Sequence, residues 1–242
     1  MGLTHSPSIV TDGLVFCLDA ANPKSYPGSG TTWTDMMGAN NGTIDGATYN
    51  SGNGGCFIFD GSNDEVTFGS AGAALINGLA ELTLEMWFKS DSINNDRGLI
   101  FGDSTSNLDD NGFSLRYDSA GYAGGGDDVM KTAFGTNDGG SPNLLESSSN
   151  IQSTDWMNIS VTSDVGTSIN LYKNGALDTP THTLNGGSET TVSSCNNLVI
   201  GRGPMASNLW DGKISIVRIY NRILTAAEVL QNYNAFKGRY GL

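Results

Sequence analysis

The chain has 242 residues, 38% of them hydrophobic and 15% charged, and carries a formal net charge of -13. That apolar content excludes a disordered acidic polymer, and 33 glycines argue for many turns rather than a helical bundle. The negative charge opposes nucleic acid and anionic membrane as partners, because both attract proteins through clustered Lys and Arg.

Residues 1–12 read as an N-terminal arm that lacks the basic start and apolar stretch of a signal peptide. The opening Met1-Gly2-Leu3-Thr4-His5-Ser6 fits a loose myristoylation pattern but has no basic second anchor. No run approaches the length of a membrane span. Residues 13–242 are expected to form one domain, since all-β sandwiches of this length often have a single core. Cys17, Cys56 and Cys195 are odd in number and widely spaced, which favours buried thiols in a protein made in a reducing cytoplasm.

The first strand is expected over Leu14 to Leu18, a short apolar run bounded by Asp12-Gly13 and Asn22-Pro23. Cys56 to Phe59 reads the same way. From Leu82 to Lys89 the pattern alternates, so Leu82, Leu84, Met86 and Phe88 share one face while Thr83, Glu85, Trp87 and Lys89 share the other. Further strands are expected at Leu99 to Phe101, Phe113 to Tyr117, Met157 to Thr162, Ile169 to Tyr172, Leu198 to Ile200 and Ile214 to Tyr220. Asn174-Gly175 is the dipeptide of a tight type I′ hairpin, whose central residues both need positive φ. One amphipathic helix is expected over about 225–237: Thr225 and Glu228 form a capping box, and Leu224 and Val229 flank it as a hydrophobic staple.

Together the segments Gly13 to Asp19, Phe59-Asp60-Gly61, Leu82 to Phe88, Leu171 to Gly175 and Gly212 to Arg222 resemble the laminin-G-like, concanavalin A-like lectin/glucanase family. The resemblance implies an antiparallel jelly-roll β-sandwich. Leu18 to Tyr26 and Asn232 to Tyr240 also resemble a version found in structural proteins of tailed bacteriophages, especially phages of aquatic bacteria. That implies a place on the virion surface, partners among capsid or tail subunits, homo-oligomerisation and adhesion to host glycan. The alternative is a lectin-like carbohydrate-binding module; a glycoside hydrolase comes third.

For an enzyme of this family the residues to weigh are Glu81 and Glu85, because a retaining glycosidase holds two carboxyl groups about 5 Å apart. Thr83 stands where the glucanase pattern has an acid, so no catalysis is expected. His5, in the arm, and His182, beside Pro180 in an expected loop, lack a nucleophile context. No phosphate-binding glycine loop or zinc spacing is present.

Calcium is the expected cofactor if there is one, held by Asp60, Asp64 and Asp211. Hard cations take oxygens from strand-connecting loops, although an Asp before Gly also serves an ordinary Asx-turn. Asn107 to Gly112 partly mimics an EF-hand loop but lacks its first Asp and terminal Glu. For glycan contact the expected residues are Trp87, Tyr117 and Tyr122, since sugar recognition combines an aromatic face with polar groups. Trp33, Trp156 and Trp210 are expected to serve packing.

Overall fold

A computed structural model describes residues 7–38, 40–102, 112–120, 126–134, 143–185, 190–193, 195–203 and 207–242. Two antiparallel sheets pack face to face, and one helix follows near the C-terminus. The first sheet has the order β14 (Ala176–Leu177), β13 (Ser168–Lys173), β12 (Met157–Asp164), β7 (Glu81–Ser90), β17 (Asp211–Tyr220), β5 (Cys56–Asp60) and β4 (Thr48–Asn50). β1 (Leu14–Asp19) also pairs with β17.

The second sheet runs β15 (His182–Asn185), β11 (Asn143–Glu146), β10 (Asp127–Phe134), β9 (Phe113–Ala120), β8 (Arg97–Phe101), β16 (Val199–Ile200), β6 (Glu65–Thr67), β3 (Gly42–Asp45) and β2 (Thr32–Trp33). Between the sheets lies the core. Leu82, Leu84, Met86 and Phe88 of β7 join Leu115, Tyr117, Met130 and Phe134 of the second sheet in one buried cluster. Removing each such side chain from water is worth about 1.5–3 kcal/mol. Period-two alternation then turns the intervening residues of every strand outward.

The hairpin at Asn174-Gly175 has φ of 51° and 78°, and Lys173 pairs with Ala176 across it. Helix α2 (Ala226–Phe236) begins with the expected capping box, in which Thr225 Oγ1 accepts from the Glu228 amide and Glu228 accepts from the Thr225 amide. A second helix, α1 (Gly69–Ile76), carries no sequence signal: its N-cap is Phe68, with no side-chain cap. It needs Gly72, where a Cβ would lie 2.5 Å from Phe68 and 2.7 Å from Leu198.

Residues 7–12 follow the domain's own surface. The Val10 amide donates to Asn232 Oδ1 at 2.8 Å, Tyr220 Oη donates to the Val10 carbonyl at 3.1 Å, and Gln231 Nε2 donates to the Ser8 carbonyl at 2.7 Å. Cys17, Cys56 and Cys195 are all buried, and none forms a disulfide.

Candidate functional site

The outer face of the second sheet carries an ionic row set by strand register. On β9 the alternation puts Phe113, Leu115 and Tyr117 into the core and turns Ser114, Arg116 and Asp118 outward. On β10, Met130 and Phe134 face the core, so Lys131 points outward with Val129 and Ala133. Lys131 is directly opposite Arg116 on one side and Glu146 on the other, and Glu146 is opposite His182. Arg116, Lys131, Glu146 and His182 therefore form one line across β9, β10, β11 and β15. Gly98 of β8, opposite Arg116, continues it.

Asp118, one alternation further along β9, ties the row together. Its Oδ2 lies 3.4 Å from Arg116 Nη2 and 3.7 Å from Lys131 Nζ, while Lys131 Nζ lies 3.9 Å from Glu146 Oε1. The Arg116, Lys131 and Glu146 side chains are 4%, 4% and 0% exposed, so the charges sit in a low-dielectric setting where each needs a partner. Among the described residues, Arg116 and Lys131 both lie beside Asp118, and Lys131 also lies beside Glu146. At that burial the charges bond one another rather than solvent, and Asp118, 14% exposed, is the most accessible of the four. His182 is a strand residue of β15 rather than the loop residue expected beside Pro180.

Trp87 is not an exposed platform. It is 0% exposed, because the C-terminal segment folds over the outer face of the first sheet and stacks Tyr240 on the indole at 4.3 Å and 16°, with Tyr233 at 5.7 Å and 3°. Tyr117 is also fully buried and points into the core, where its hydroxyl donates to the Ser153 carbonyl at 3.2 Å. Burial pushes that hydroxyl's pKa up. Neither ring can meet a ligand there. Tyr122 and the EF-hand-like residues 107–111 lie outside the described residues.

Glu81 and Glu85 share the covered face but differ in surroundings. Glu81 is exposed, whereas Glu85 is fully buried. Glu85 Oε1 accepts from Arg218 Nη1 at 3.2 Å and from Asn158 Nδ2 at 3.3 Å, and its Oε2 accepts from Asn232 Nδ2 at 2.9 Å. Thr83 between them bonds the Arg222 carbonyl and the Leu224 amide. This face anchors α2 and is not a catalytic cleft.

Asp60 and Asp211 are cross-strand partners at the end of β5 and β17. Asp60 Oδ1 accepts from the Ser62 amide at 2.8 Å, an Asx-turn, and Asp64 Oδ2 accepts from the Asp60 amide at 2.9 Å. Desolvation, assisted by the charges of Asp60 and Asp45, raises the Asp64 pKa. Among the described residues, no group of three or more His, Cys, Asp or Glu side chains is arranged to hold a metal ion. Asp60 and Asp64 thus bond the turn after β5, while Asp211 accepts from Ser92 Oγ at 3.4 Å.

Residues 60–230 match the family model of the concanavalin A-like lectin/glucanases superfamily. The chain belongs to this superfamily. Among solved structures it is similar to domain 4 of AbnA, an extracellular GH43 arabinanase from Geobacillus stearothermophilus solved with arabinotriose: 14% identity, TM-score 0.64, covering 91% of this chain and 98% of that one. It is also similar to the binding domain of botulinum neurotoxin DC in complex with SialylT, at 13% identity and TM-score 0.67 over 94% of this chain and 52% of that one. A structure of botulinum neurotoxin type C, whose cell entry depends on interaction with two ganglioside molecules, matches at 14% identity and TM-score 0.66, over 93% of this chain and 51% of that one. The chain spans about half the length of these toxin chains. At these identities the likeness is one of fold. No functionally curated protein gives a significant match.

Proposed function

We propose that this chain is a non-catalytic, lectin-like module that binds oligosaccharide on the outer face of its second sheet. The observation that carries the reading is the superfamily match over residues 60–230, and the ionic row of Arg116, Lys131 and Glu146, with Asp118 as its most accessible member, marks where polar groups collect on the second sheet. The net charge of -13 repels a polyanion and so favours a neutral sugar as the ligand. The superfamily, and similar structures of an arabinanase domain with arabinotriose and of a ganglioside-dependent toxin, support a saccharide as the ligand class.

The test is a glycan screen of purified protein, followed by Arg116→Ala and Lys131→Met on any glycan retained. Binding without reducing-end release, weakened about tenfold or more by either change, is expected if each removes a charged hydrogen bond. Cleavage of the retained glycan would overturn the non-catalytic reading.

The virion setting is a second reading, carried by the sequence resemblance alone. Leu18 to Tyr26 and Asn232 to Tyr240, which carry the resemblance to phage structural proteins, are clasped by a bidentate pair in which Arg239 Nη1 and Nη2 donate to Asp19 at 3.1 and 2.7 Å. Under it the module sits on the virion surface as a homo-oligomer against capsid or tail subunits. High copy number in purified virions is the outcome it requires, and absence from them would end it.

A further inference from the structure

Lys131 is a buried amine set between two carboxylates. Its Nζ lies 3.7 Å from Asp118 Oδ2 and 3.9 Å from Glu146 Oε1, and its strand β10 runs between the two strands that carry them. On the same outward face Val129 is opposite Asp118 and Ala133 is opposite Leu144, all three of these apolar side chains being buried. Keeping an ammonium and two carboxylates out of water is costly, whereas an amide carries no charge.

The two carboxylates are held differently. Asp118 is pinned at both oxygens: Oδ1 accepts from the Ala120 amide at 3.3 Å and Oδ2 from Arg116 Nη2 at 3.4 Å. A guanidinium at a carboxyl oxygen stabilises the negative charge that gathers there when a nucleophile adds to the carbon. Glu146, directly opposite Lys131 and fully buried, stands on the other side of the amine, where a base is needed. Reacting atoms meet at about 3–3.5 Å, so amine, carboxyl and base are within a small side-chain adjustment of contact.

We infer that Lys131 and Asp118 condense to an intramolecular amide that ties β9 to β10, with Glu146 as the base. Lys131 Nζ gives a proton to Glu146 and its lone pair attacks Asp118 Cγ, forming the C–N bond while the oxyanion gathers on Oδ2 beside Arg116. The Cγ–Oδ1 bond then breaks, and Oδ1 leaves as water with the two protons that the ammonium has lost, carried by Glu146. Atoms and charge balance with no oxidant or cofactor. The inference does not rest on the saccharide reading, and the amide keeps an N–H and a carbonyl in the row.

Mass spectrometry of the purified chain, folded at neutral pH and then denatured, tests this, followed by tryptic mapping. The chain should weigh one water less than its sequence. Mapping should show no cleavage after Lys131, and fragmentation should place a link from that residue to Asp118. Asp118→Ala, Lys131→Met and Glu146→Gln should each restore the full mass. Full mass in the wild type would overturn the inference even where a variant fails to fold. A water loss that fragmentation places at an Asp-Gly step, or one that survives Lys131→Met or Glu146→Gln, would overturn it as well. These readouts need no ligand, so the amide and the saccharide site stand or fall separately.

Discussion

Glu85 and Arg218 oppose each other across β7 and β17, with Oε1 and Nη1 3.2 Å apart and each side chain 1% exposed. Arg218 also lies under the Phe236 ring, 4.5 Å from its centroid. Through Asn232 the pair reaches the Tyr220 hydroxyl and the Val10 amide, so one polar network joins both ends of the chain to the first sheet. Removing Glu85 leaves a buried guanidinium without its carboxylate. Glu85→Ala should lower unfolding stability by about 3–5 kcal/mol, and Glu85→Gln by less. Denaturant melts read this directly; a change below about 1 kcal/mol for Glu85→Ala would contradict the network's role.

The start of α2 gives a pH prediction. The Arg222 hydrogen bonds and the Thr225 amide lower the Glu228 pKa from 4.5 to about 2, and Arg222 Nη1 donates to Glu228 Oε2 at 3.0 Å. A depressed carboxylate contributes stability that is fully present above the unfolded pKa, near 4.5, and is lost as pH falls through the folded value, near 2. The wild-type minus Glu228→Gln stability difference should therefore be flat above about pH 5 and shrink toward pH 2. Thr225→Ala should cost about 1 kcal/mol. A difference independent of pH would remove the ion pair and cap from the account.

Trp87→Ala should destabilise by about 3–5 kcal/mol through the cavity it leaves beneath Tyr240. Glycan retention at temperatures where the variant is folded should be unchanged. Lost retention with unchanged melting would return Trp87 to the binding surface.

Asp60 and Asp64 already bond the turn backbone and Asp211 the Ser92 hydroxyl, so calcium and chelator should give the same melting temperature. An ion bound only to the native state would raise stability with its concentration. A calcium-dependent rise abolished by Asp60→Ala would show that a cage forms when the ion is present.

The frame was legible because its signals are local: the alternation at Leu82 to Phe88, the Asn174-Gly175 turn and the Thr225 cap each need only a few adjacent residues. The face assignment of Trp87 was also right, but its cover comes from Tyr233 and Tyr240, far along the chain, and no local pattern announces that. The ionic row escaped for the same reason. Ser114, Arg116 and Asp118 alternate with apolar residues in plain view, yet Lys131, Glu146 and His182 join them only through register. β10 itself was hidden, since Met130-Lys131-Thr132-Ala133 mixes polar and apolar residues on both faces. Helix α1 was hidden by its glycines and missing cap.

The central claim is tested most directly by mapping a bound neutral oligosaccharide onto the backbone amides by NMR. The account predicts shift changes concentrated at Ser114 to Asp118, Val129 to Ala133 and Leu144 to Glu146, and their loss in Lys131→Met with the fold retained. Shifts confined to the first sheet, or undiminished in that variant, would contradict it.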